Sequence, residues 1–195
     1  MGSSPASTPF TGDLEADRLV SENPLALLVG MLLDQQVPIE RAFHAPLELR
    51  DRLGGTLDAR AISDMDPDEL EQAFRRRPAL HRFPAAMAAR TRELCRIVAE
   101  DHDGDAAQIW RHGRQAGDVL ADLSALPGFG ERKARVLVAL LAKRIGVRPS
   151  GWERAAGEYA RPGYHSVADV DGPEALARLR EHKRQLKAAA KSSRP

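Results

Sequence analysis

Cysteine is nearly absent: the 195 residues contain one, Cys95. A single thiol excludes an internal disulfide framework and the four-cysteine sites that hold zinc or an iron–sulfur cluster. Cys95 sits among apolar residues of a predicted helix, which reads as a small buried hydrophobe. Net charge is scarce as well. Lys and Arg total 29 against 28 Asp and Glu, a formal balance of +1, so any basic surface must be local. Long apolar runs are missing. The longest, Leu25 to Leu33, has nine residues, and a membrane-spanning helix needs about 20. The N-terminal stretch MGSSPASTPFTGD lacks a basic segment followed by an apolar one, so no secretion signal is expected. Strand signals are absent too, because β-branched residues are scattered and do not alternate with polar ones.

What is present is helix punctuation. Asn23-Pro24 reads as an N-cap and first helical residue, opening a helix over Leu25–Gln36. Pro38 starts another to about Leu53, stopped by Gly54-Gly55. Asp66-Pro67-Asp68-Glu69 combines a cap, a proline and a capping-box glutamate, and predicts a helix to about Arg76. Pro84 opens a long helix through Glu100, closed by DHDGD. Further helices are expected at Gly117–Ala125, at Glu131 to about Ile145, from a Ser150 cap to Tyr159, and from Pro173 to about Lys191. The fold class is therefore all-α, about nine helices with no internal repeat. The expected division is a flexible segment 1–12, one helical domain 13–190 and a basic tail 191–195.

Two stretches carry chemistry. The first is the end of the apolar helix, Asp34-Gln35-Gln36. At about 100° per residue, Gln36 falls near the Leu25/Leu32 line and Asp34 opposite it. Three polar groups ending a buried helix either reach solvent or form the wall of a crevice. The second is SALPGFGERKARVLVALL, residues 124–141. Ala134, Leu137, Val138, Leu141 and Ile145 form one core-facing stripe. Gly128 and Gly130 are expected to supply positive φ and close backbone approach. The helix after them presents free N–H groups and its positive dipole end, a site suited to phosphate.

The motif L-P-G-F-G-E-R-K-A resembles the helix-hairpin-helix of the helix-hairpin-helix–GPD superfamily of DNA glycosylases. MLLDQQVPIERA is similar to the paired-glutamine segment of its alkyl-purine branch, and FPAAMAARTRELCRIVAEDHDGD to the helix before the hairpin. The three occur in the family's order. The resemblance implies an all-α, two-lobed fold with a DNA-binding cleft, the hairpin at 124–134, and excision of damaged or mismatched bases from duplex DNA. It assigns DNA binding to Gln35, Gln36, Gly128, Phe129, Gly130, Arg132 and Lys133. It assigns a monovalent cation, K+ or Na+, to the carbonyls of Ser124, Leu126 and Lys133. No organic cofactor, iron–sulfur cluster or membrane contact is implied; a monomer in the cytoplasm, associated with the nucleoid, is expected.

Two family positions are not matched. Arg132 stands where bifunctional members carry the lysine nucleophile, and an arginine that stays protonated does not form a Schiff base. Lys133, one residue later, is expected to point elsewhere, so a monofunctional reaction fits. Ser150, Gly151 and Trp152 occupy the window of the family's aspartate. Glu153 follows directly, as a catalytic candidate or as the acidic partner in a Ser150 capping box; Asp34 is the other candidate. Trp152 either stacks on a base or packs in the core. Arg75-Arg76-Arg77 with His81-Arg82 offers either phosphate contacts or a solvated helix end. Tyr164 and His165 fall in a loop that either lines a base pocket or lies on the surface. Leu176, Leu179 and Leu186 are expected to form a packed face of the last helix. Besides a base-excising enzyme, the pattern allows a duplex- or lesion-binding module without catalysis and a helical interaction scaffold.

Overall fold

The computed structural model describes residues 9–111 and 113–192. Ten α-helices run through them, with no strand among the described residues: α1 Leu14–Glu22, α2 Pro24–Leu33, α3 Ile39–Arg52, α4 Ala59–Asp64, α5 Pro67–Arg75, α6 Pro84–Asp101, α7 Ala116–Ala125, α8 Glu131–Leu140, α9 Trp152–Ala156 and α10 Pro173–Ser192. Of the terminal segments set apart in the sequence, 1–8 and 193–195 lie outside the described residues. From Phe10 the chain is anchored. Its ring is buried, and the Phe10 and Thr11 N–H groups donate to Asp17 Oδ1 at 3.0 and 2.9 Å.

Helix α2 is the centre of the fold. Asn23 Oδ1 caps it by accepting from Ala26 N–H at 3.0 Å, and every residue from Leu25 to Leu33 is buried. Each of its leucines contributes about 1.5–3 kcal/mol by leaving water. Gly30 is required there, because a Cβ would meet Phe43 Cδ1 of α3 at 2.7 Å. The expected helix to Gln36 stops at Leu33. Asp34 is already outside the helix, and Gln36 takes φ 57°. Proline at 38 explains the early stop: it offers no N–H to Asp34 and disfavours helical geometry at Val37.

Most other boundaries agree with the caps to within about a residue or two; α9, expected to reach Tyr159, ends at Ala156 and passes into a 3-10 turn, Gly157–Ala160. Helices α1 and α4 were not foreseen. Both rest on local caps, Asp13 accepting from Glu15 and Ala16, and Asp58 from Ala61. At the start of α9 the Ser150 cap is not formed. Gly151, with φ 80°, holds the N-cap position, and the Ser150 carbonyl instead accepts from Ala116 N–H at 2.9 Å. Helix α8 runs on as a π-helical turn, Leu141–Ile145, ended by Gly146 at φ 81°.

The segment joining α9 to α10 has no sequence motif, and one buried carboxylate orders it. Asp169 accepts from Lys143 Nζ at 2.6 Å and from the His165 and Ser166 N–H groups at 2.8 and 3.1 Å. That network ties residues 165–169 to the end of α8. Helix α10 then buries Leu176 and Leu179. Leu186, expected on the same face, is 57% exposed, because the helix has by then left the body.

Candidate nucleic-acid interface and active site

The hairpin between α7 and α8 is stiffened by its first glycine. Gly128 adopts φ 75°, and a Cβ there would meet Leu32 Cδ1 of α2 at 2.6 Å. Gly130 differs from expectation. Its φ is −84°, in the ordinary extended region, and nothing lies within 4 Å of an added Cβ. Its surroundings are open, and as the N-cap of α8 it supplies no side-chain cap. The N–H groups of Gly130, Glu131 and Arg132 find no acceptor among the described residues. Glu131, at the first turn, is paired with Arg135 at 2.6 Å. Such an end is complementary to an anion. The ring of Phe129 is buried, leaving its backbone at the turn.

Lys133 does not point away. Its Nζ crosses to the end of α2 and donates to the Met31 and Leu32 carbonyls at 2.7 and 3.1 Å. These carbonyls lack helical partners because α2 stops early. Burial lowers the Lys133 ammonium to about 8, with Asp34 opposing the shift and Arg90 adding to it. Asp34 lies in the same place. Burial raises its carboxyl above the ordinary aspartate range, against the pull of Lys183 and Lys133. Among the described residues no group donates a hydrogen bond to the Asp34 carboxylate, and no cation comes within ion-pair distance of it.

Asp34 and Lys133 share a cavity of about 340 Å³, lined also by Gln36, Arg132, Tyr159, His165 and Lys183. Arg132 Nε donates to Tyr159 Oη at 3.0 Å. Gln35 is held on three sides. Its Nε2 donates to the Leu32 carbonyl at 2.8 Å, its Oε1 accepts from Arg90 at 3.3 Å, and its carbonyl lies 2.9 Å from His81 Nε2. His81 Nδ1 accepts from Phe83 N–H at 3.1 Å, so Nε2 carries the proton and donates to Gln35. His81 is thus buried and places the glutamine loop; it is no phosphate contact. Gln36 is exposed.

The other named residues fall elsewhere. Glu153 stands on the exposed face of α9, its side chain without a hydrogen bond or ion pair among the described residues, and it lines neither the Asp34 cavity nor the one beside Ser150. Trp152 is half-buried against the core and does not line the Asp34 cavity. Ser124 Oγ donates to the Leu120 carbonyl at 2.7 Å, and the Leu126 carbonyl accepts from Phe129 N–H at 3.0 Å. Ser150 borders a separate, larger cavity of about 640 Å³, with Trp110 and Arg148. His165 reaches the Asp34 cavity, whereas Tyr164 packs under Arg178. Sequence reasoning missed Tyr159, which carries no motif, and read Lys183 only as one of several basic residues of the last helix facing water or DNA.

A family model described as HhH-GPD superfamily base excision DNA repair protein matches residues 29–194. The chain belongs to this family. The match takes in the end of α2, the hairpin, the Asp34 cavity and α10, and leaves out α1 and the start of α2. Membership implies DNA binding in base excision repair. A search of curated proteins found no match. No described helix is long and apolar enough to cross a membrane. Among the described residues no group of three or more His, Cys, Asp or Glu is placed to hold a metal ion.

Proposed function

We propose that this HhH-GPD protein is a monofunctional DNA N-glycosylase, with Asp34 as the catalytic carboxylate. One observation carries the reading: a half-buried carboxylate without a hydrogen-bond donor faces a base-sized cavity beside a helix end suited to phosphate. In this scheme the Gly130, Glu131 and Arg132 N–H groups grip the DNA backbone. The Ser124 and Leu126 carbonyls lie at the negative dipole end of α7, and the Leu126 oxygen, which accepts from Phe129 N–H, keeps a second lone pair. With the Lys133 carbonyl they would hold a K+ or Na+ ion, whose charge would draw a phosphate. Gln36, exposed in its left-handed turn, enters the space left by the extruded nucleotide. Extrusion costs a few kcal/mol, which these contacts must offset.

The bond between C1′ and the base nitrogen then breaks. Electrons leave with the base, and positive charge develops on the sugar. Asp34 stabilises that charge and takes a proton from the attacking water, whose oxygen bonds to C1′. Lys133 is committed to the end of α2 and Arg132 replaces the family lysine, so no Schiff base forms. The chain acts on duplex DNA as a monomer.

A second reading is a duplex- or lesion-binding module without chemistry. It is favoured by Ser150, Gly151 and Trp152, which leave the family's aspartate window without a carboxylate. Duplexes carrying single alkylated, deaminated, oxidised or mismatched bases separate the two. Release of a base from at least one is expected; salt-dependent binding with no release from any would overturn the enzyme reading.

A further inference from the structure

The Asp34 cavity is dominated by donors and positive charge. Arg132 uses Nε on Tyr159, and its terminal nitrogens find no acceptor among the described residues. Lys133 spends two donors on carbonyls and keeps a third. Lys183 reaches the cavity from α10 and makes no ion pair among the described residues. Tyr159 Oη accepts from Arg132 and keeps its own proton to donate. Opposite these stands one carboxylate, Asp34. The Gln35 amide, which offers both donor and acceptor, is already bonded at both ends.

This balance discriminates between kinds of damaged base. A purine alkylated on a ring nitrogen such as N7 carries positive charge. Sites for such cations use aromatic faces or excess carboxylate. Here three cations face one carboxylate, and among the described residues the aromatic rings on the wall are Tyr159, which is buried and bonded to Arg132, and the half-buried imidazole of His165. A neutral base rich in carbonyl oxygens presents the acceptors these donors lack. Arginine suits this task, because its planar fork can meet two acceptors at once.

We propose that the cavity accepts neutral, carbonyl-rich bases, the class produced by deamination or ring oxidation, and that Arg132 is the residue that reads them. The proposal rests on the reading above that this cavity receives an extruded base. It departs from the cationic substrates that the alkyl-purine resemblance would suggest.

The test is equilibrium binding of the full chain to duplexes carrying one hydrolysis-resistant 2′-fluoro nucleotide. The bases compared are uracil, hypoxanthine and 7-methylguanine, with cytosine as the undamaged control. Uracil or hypoxanthine should bind at least about tenfold more tightly than 7-methylguanine, within the range of a bidentate arginine contact. Arg132→Met should collapse that ratio towards one. Equal or tighter binding of 7-methylguanine overturns the proposal, as does a lack of preference among all four. If Arg132→Met weakens every duplex in step, Arg132 is a phosphate contact and the proposal also falls. The same panel in natural nucleotides separates the two readings. Excision of 7-methylguanine alone would retain the glycosylase and refute the base class. A binding preference without any excision would support the base class and refute the glycosylase.

Discussion

The two hairpin glycines have different tasks, and substitution should separate them. Gly128→Ala places a side chain at φ 75°, with its Cβ 2.6 Å from Leu32 Cδ1. The left-handed conformation alone costs about 1–2 kcal/mol. Leu32 is fully buried, so relieving the overlap disturbs a packed core, at about 1–3 kcal/mol. Together the loss is about 2–4 kcal/mol, out of a total stability on the order of 5–15 kcal/mol. For a chain of this size that is a drop in Tm of roughly 5–15 °C. Gly130→Ala meets no neighbour and keeps an ordinary φ of −84°. Its stability change should stay within about 1 kcal/mol, because the weaker cap is offset by a less flexible unfolded chain. Its methyl would instead stand where a phosphate approaches. The slope of log affinity against log salt should flatten by about 0.9, the share of one phosphate. Urea unfolding and salt-dependent duplex binding measure both. Equal destabilisation by the two variants, or unaltered binding by Gly130→Ala, would refute this division of labour.

Three further outcomes are expected. Borohydride treatment with abasic-site DNA should trap no covalent complex; an adduct that disappears in Lys133→Met would identify Lys133 as a nucleophile. Lys133 titrates at about 8 in the folded protein against 10.5 ordinarily, so between these values the folded chain holds fewer protons than the unfolded one. Its stability relative to Lys133→Met should therefore rise with pH across that window, and a flat or falling difference in urea unfolding would contradict the burial of the amine. His81→Ala leaves the Gln35 carbonyl and Phe83 N–H unpaired, which should cost about 1–3 kcal/mol. It should also weaken duplex binding, and melting and binding measured together would show whether His81 positions the glutamine loop.

Much of the fold was legible where the information is local. Asn23-Pro24 and Asp66-Pro67 start helices through groups within four residues of each other. The hairpin also lies within one short stretch. Helix α2 ended early because of Pro38, and its open carbonyls are closed by Lys133, about a hundred residues on. Periodicity continued past Leu33 could not show that turn, and so it misplaced Gln36 and Asp34. The side chain of Lys133 was misjudged for the same reason: its partner is a tertiary one. Tyr159 and Lys183 reach the cavity through the segment that Asp169 and Lys143 organise, and neither residue has a spacing that announces it. Ser150 and Glu153 have the spacing of a capping box, but the pairing of Ser150 with Ala116 takes precedence.

The central claim is that Asp34 supplies the carboxylate for base excision. It is tested most directly by single-turnover excision on a duplex from the panel that loses its base. Asp34→Asn should reduce the rate by about 10²–10⁴-fold, the usual contribution of a positioned acid or base, while Glu153→Gln retains it. The wild-type rate should fall on the acid side at a pH above 3.8, the ordinary aspartate value, because burial raises the Asp34 carboxyl. A full rate in Asp34→Asn would contradict the account.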